Sequence, residues 1–229
     1  MGSAAAVRMR GMAAAGFVVA ALWCVAITPS TVAGGQLVSL LPVDESAKCP
    51  GFVEFKAQLA EIIRRKDAAA LLSVLDPNLR HTFGTGNGRD EFKTQWLDNP
   101  DPGSGGVWTE LADVLRLGGR CQGDEFVAPY VWTDWPNQFD ELEFAAVVGA
   151  QVRVRERPSA TAKVIGSVSF TVVPRDSTWS GDGQWEKVSL ADGRIGYVAE
   201  RFLRTPLDWR AWFVRRDGRW LITTFIAGD

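Results

Sequence analysis

Histidine is almost missing from this 229-residue chain: His81 is the only one. A zinc hydrolase needs several histidine or acidic ligands, and a cysteine peptidase needs a histidine base beside its thiolate. One histidine leaves a Cys–His pair as a formality. Flanked by Arg80 and Thr82, His81 reads as a strand or surface residue. Cysteine is scarce as well, with three in the chain. Beyond the N-terminus no stretch is long and apolar enough to span a membrane. An excess of basic residues is also absent, since the formal net charge is −2. Removal of a leader carrying Arg8 and Arg10 would take it to about −4, which argues against nucleic acid as the partner because phosphate binding needs a basic surface.

What the N-terminus does contain is a secretory pattern. Arg8 and Arg10 are followed by the uncharged, mostly apolar run Gly11 to Ile27, and Thr31-Val32-Ala33 offers a cleavage site. Residues 1–33 are therefore expected to be a signal peptide, with the membrane touched only through the uncleaved leader and the mature protein periplasmic or secreted. Trp23 is too bulky before Cys24 for a lipobox. The remaining pair, Cys49 and Cys121, is expected to form a disulfide in an oxidising compartment. An apolar content of 46% is enough to bury a core.

After an extended linker over 34–47, helical periodicity governs 48–140. Phe52, Phe55, Leu59, Ile62 and Ile63 mark one helix face. Asp67 can cap a second helix over 68–75, ended by Asp76-Pro77-Asn78. Further helices are expected around 90–97 and 107–115, the latter stopped by Gly118-Gly119. Leu79 to Phe83 is a candidate strand, whereas Pro129 argues against a central strand over 125–132. From Ala145 the pattern changes to short β-rich runs separated by polar or glycine turns. Trp209 to Val214 and Trp220 to Ile226 flank Arg215-Arg216-Asp217-Gly218-Arg219 as a C-terminal β-hairpin over 207–229. The expected class is α+β: an N-terminal helical region, a small SH3-like β-barrel over 145–206, and the hairpin.

The barrel expectation rests on a resemblance. Val152-Arg153-Val154-Arg155, Arg157-Pro158-Ser159, Lys163-Val164-Ile165-Gly166, Gly183-Gln184-Trp185-Glu186-Lys187-Val188, Asp192-Gly193-Arg194-Ile195-Gly196-Tyr197-Val198 and Phe202-Leu203 follow one another as in the bacterial SH3 (SH3b) family. The segment, about 148–204, resembles that family over roughly a quarter of the chain. Two departures stand out: Val152-Arg153 where Leu-Asn is usual, and Arg157 where glycine is frequent. The resemblance implies binding of cell-wall peptides or peptidoglycan components, although fold alone does not fix function. The flanking regions are more loosely similar to NTF2-like domains, into which the barrel would be inserted or against which it would pack.

Enzymatic constellations are thin. Glu54, Glu61, Asp90, Glu91 and Glu110 all fit solvent-facing helical positions or caps, and nothing pairs two of them for glycoside hydrolysis. Gly84-Thr85-Gly86-Asn87-Gly88 lacks the Gly-Lys-Ser/Thr ending of a phosphate loop. No cofactor or metal is implied. Trp132 and Trp135 could stack on ligands or seal the junction between the two halves. In the barrel, Trp185 is expected in the core. Arg155, Trp179 and Tyr197 are the candidate ligand-binding residues, with Trp179 on a loop. The reading is a non-enzymatic envelope-binding protein. The alternatives are an accessory subunit docking an envelope protein and, more remotely, a peptidoglycan-active hydrolase.

Overall fold

The computed structural model describes residues 37–99, 106–176, 178–181 and 183–228. The leader assigned to 1–33 and the first three residues of the linker lie outside them. The described chain mixes helices with open sheets, as the α+β class requires. Helix α1 (Phe52–Arg65) buries the five apolar residues that its sequence repeats at helical spacing. Asp67 caps α2 (Ala68–Val74) by accepting from the Ala70 amide. Next come strand β1 (Leu75–Arg80), the short helix α3 (Arg89–Phe92) with a π-helical turn over Lys93–Asp98, and helix α4 (Gly106–Arg116).

Segment 48–140, expected to be helical, also supplies three strands: β1, β2 (Arg120–Gln122) and β3 (Glu125–Ala128). Two details explain why the sequence signals misled. Pro77, read as ending a helix, sits in β1 at the edge of its sheet, where a missing N–H costs no ladder bond. β3 is an interior strand, and it stops one residue before Pro129. The short helix α5 (Tyr130–Thr133) follows it.

Residues 144–204 form seven strands in two small sheets. β4 (Phe144–Val147) lies between β7 (Val172–Pro174) and β10 (Leu203–Arg204). The second sheet runs β6 (Val164–Val168), β5 (Val152–Arg155), β9 (Ile195–Ala199), β8 (Trp185–Ser189), all antiparallel. Val147, Val152, Val154, Val173, Val188 and Val198 fill the core between them.

The chain then returns to the first sheet. β11 (Arg210–Arg216) pairs antiparallel with both β3 and β12 (Arg219–Ile226), and β12 runs parallel to β1. The five-stranded order β1-β12-β11-β3-β2 places the last two strands in the middle of the sheet made by the N-terminal segment. One face of that sheet packs on α1, α2 and α4 through Phe52, Phe126, Phe213, Trp220 and Phe225. Phe52 alone has ring contacts with Phe126 at 4.1 Å, Trp220 at 4.8 Å and Phe213 at 5.3 Å. The segment 37–47 is extended but docked: Ser39 bridges to Thr171 and Leu40 is buried.

Cys49 and Cys121 are joined in a disulfide with Cα atoms 5.7 Å apart, a bond that fits an oxidising compartment. It ties the start of α1 to edge strand β2. Among the described residues no helix is long and apolar enough to cross a membrane. His81 is buried rather than superficial, edge-on to Phe92 at 5.5 Å. Burial pushes its pKa below the usual imidazole value, partly opposed by Glu91.

Candidate functional site

Strand alternation decides which side chains the four-stranded sheet shows to solvent. Val152 and Val154 of β5 point to the core, so Arg153 and Arg155 point outward. The same reasoning turns Tyr197 and Ala199 of β9 and Trp185 and Lys187 of β8 to that face. The ladder aligns them: Arg155 lies opposite Tyr197, Tyr197 opposite Lys187, and Ala199 opposite Trp185. Gly196 makes this packing possible. A Cβ there would overlap Val154 Cγ1 and come within 3.0 Å of Ile165 Cδ1 and 3.1 Å of the Arg155 carbonyl oxygen.

Two adjoining cavities open on this face. The first, about 290 Å³, is lined by Arg153, Arg155, Ala160, Trp185, Arg201 and Phe202 among others. Three guanidinium groups line it and no carboxylate does. The second, about 600 Å³, shares Ala160, Trp185, Ala199 and Arg201 with it and continues past Pro158, Ser159 and Glu200. Together they form a groove with Trp185 and Ala199 at its floor. One wall is the loop after β5. The other is the 3-10 turn Glu200–Phe202. Arg155 is fixed at the loop side, where its Nη1 donates to the Ala162 carbonyl oxygen at 2.6 Å. Arg201 stacks over Phe202 at 4.8 Å. A groove with this lining can desolvate an apolar or aromatic group against indole while guanidinium donors take up a carboxylate.

Of the sequence-stated candidates, the structure brings all three together: Arg155 pairs across the ladder with Tyr197, and the Trp179 ring meets the Tyr197 ring edge-on at 5.1 Å. Arg155 lines the groove, whereas Trp179 and Tyr197 lie beside it. Trp179 is tied down, its Nε1 donating to the Trp185 carbonyl oxygen at 3.1 Å. Its loop is further pinned at Asp176. Hydrogen bonds from Lys187 first, and from Thr178, hold that carboxyl down at about 2. Trp185 corrects the sequence reading. It is half-buried, outside the core cluster, and lines both cavities. Arg153, Arg201 and Phe202 were not among the ligand-binding residues expected from the sequence. The outward period-2 position of Arg153 was the available signal, but nothing local says that the turn after β9 folds over the same groove.

Comparison of the chain with protein-family models, curated proteins and solved structures finds no match.

Proposed function

We propose that this is a non-enzymatic cell-envelope binding protein, exported to the periplasm or secreted after cleavage near Ala33. Its segment 145–206 acts as an SH3-like module for peptide or peptidoglycan-type ligands. The observation that carries the reading is the groove at Trp185, walled by Arg153, Arg155 and Arg201 with no carboxylate in its inner cavity. Wall peptides bear free carboxylates and small side chains, which match guanidinium donors beside an indole platform. Seven short strands in two small sheets over this segment agree with an SH3-like architecture. The Cys49–Cys121 disulfide agrees with the oxidising location. Arg155 contacts the ligand directly, Trp185 forms the platform, and Trp179 and Tyr197 brace the strand edge beside it.

Sedimentation with purified cell-wall sacculi tests this. The mature protein is expected to pellet with sacculi. Trp185→Ala should lose most of that retention while lowering the melting temperature less than loss of a core ring would, because the ring is only partly buried and lies outside the core cluster. Trp179→Ala should lower the melting temperature, since it removes the ring propping Tyr197 and the hydrogen bond to the Trp185 carbonyl. If wild type stays in the supernatant but co-purifies with an envelope protein through the same groove, the module is instead the docking surface of an accessory subunit.

A further inference from the structure

The outer face of the five-stranded sheet, turned away from α1, α2 and α4, carries a second constellation of unusual composition. A depression of about 650 Å³ there is lined by Phe83, Trp132, Trp212, Arg80, Arg210 and Thr224 among others. That volume falls in the ordinary range for ligand sites. Trp132 and Trp212 meet edge-to-face at 5.8 Å. The Arg210 guanidinium lies over the Trp132 ring at 4.2 Å, and its Nη1 and Nη2 donate to the carbonyl oxygens of Pro206 and Gly228. Phe83 is 47% exposed despite its size, with Arg80 over its ring at 5.3 Å. Among the described residues Arg80 has no carboxylate partner, whereas Arg216 at the same site is paired with Asp76.

We propose that this face is a binding site for an acidic saccharide, independent of the groove at Trp185. The aromatic edges and faces offer the flat apolar surface on which the C–H face of a pyranose ring packs. Arg80 supplies the planar donor for a ring carboxylate. Thr223, Thr224 and Glu125, which also line the depression, exchange hydrogen bonds with hydroxyl groups. Two observations separate this ligand from an acidic peptide. The central strand β11 is hydrogen-bonded on both sides, to β3 and β12, so no backbone groups remain there for an added strand. Glu125 accepts from a ring hydroxyl, a donor that glutamate side chains ionised at neutral pH do not have.

Calorimetric titration of the mature protein with tetragalacturonate, maltotetraose and tetraglutamate tests the proposal. Tetragalacturonate should bind, with the other two at least roughly tenfold weaker: maltotetraose loses the charge-assisted contact to Arg80, and tetraglutamate loses the ring face and the hydroxyl groups. Arg80→Gln, an exposed change that leaves the fold intact by circular dichroism, should weaken tetragalacturonate by roughly tenfold, and Trp212→Ala should do the same. Trp185→Ala should leave it unchanged, so failure of the groove reading and failure of this one are separable. Absence of tetragalacturonate binding, equal binding of maltotetraose or tetraglutamate, or an unchanged affinity in Arg80→Gln would overturn it.

Discussion

Gly196 sits where β9 passes over the valine core, and a methyl group there would collide with Val154. Overpacking of this kind costs about 1–3 kcal/mol. Gly196→Ala is therefore expected to lower the unfolding free energy by that amount, read as a lower urea midpoint, and, because Tyr197 and Ala199 follow on the same strand, to weaken sacculus retention too. An unchanged midpoint would mean the strand can shift freely. The two indoles near this glycine show how position on a strand outranks residue type. Trp185 falls on the outward phase of β8, opposite Ala199, and is left partly buried as a groove floor. Trp179, on a loop, is the more constrained of the pair because its N–H and its ring both have partners.

Among the elements, the short strand β2 depends most on covalent help. It has three residues and lies at the edge of its sheet, with only β3 as neighbour. The disulfide closes a separation of 72 residues between it and the approach to α1. On the loop-entropy model, such a bridge contributes roughly 4 kcal/mol. Melting with and without reductant should show a clear drop in midpoint on reduction, and Cys49→Ser/Cys121→Ser should reproduce it. An equal midpoint would mean that packing alone holds β2. Arg120 adds a second tie there, reaching Glu45 at 3.0 Å and Asp134 at 2.7 Å. Helix α1 needs no such support, because its apolar face is buried in the main core, where Phe52 meets rings from β3, β11 and β12.

At the scale of the molecule, a charged cluster ties the small sheets to helix α4. Arg204 of β10 reaches Asp113 at 3.4 Å and Glu110 at 3.7 Å on α4, and Asp208 at 3.9 Å. Arg175 reaches Glu186 at 3.6 Å. Carboxylates outnumber these two arginines, and burial, the leading cause, pushes Glu110, Glu186, Glu200 and Asp208 above their usual pKa values. A carboxyl raised in the folded state stabilises below its unfolded pKa, and that stability fades as pH rises through the folded value. Glu186, with 14% of its side chain exposed, is the best enclosed of the carboxylates paired with these arginines. Thermal melts of Glu186→Gln against wild type should therefore favour the variant increasingly between pH 4 and pH 7. A constant difference across that range would show that the cluster carries no such linkage. Asp176, held low, acts with the opposite sign: its contribution is present above its unfolded value near 3.8 and is lost as pH falls toward about 2.

Helices α1 to α4, most of the short strands and the cysteine pairing could be read from the chain because their causes are local or combinatorial. Apolar spacing fixed α1, Asp67 fixed the start of α2, turn residues separated β4 to β9, and Cys49 and Cys121, the two cysteines outside the expected leader, have one way to pair. Arg155, Trp179 and Tyr197 could be placed near one another because a ladder and one loop relate them. Tertiary structure alone decided the rest. The final strands enter the centre of the N-terminal sheet across more than eighty residues of intervening chain. Arg201 and Phe202 fold over the face that Trp185 leaves open. A sequence displays the period of a strand, but the side on which its outward residues meet those of another element depends on contacts between distant segments, and these form only when the cores are packed.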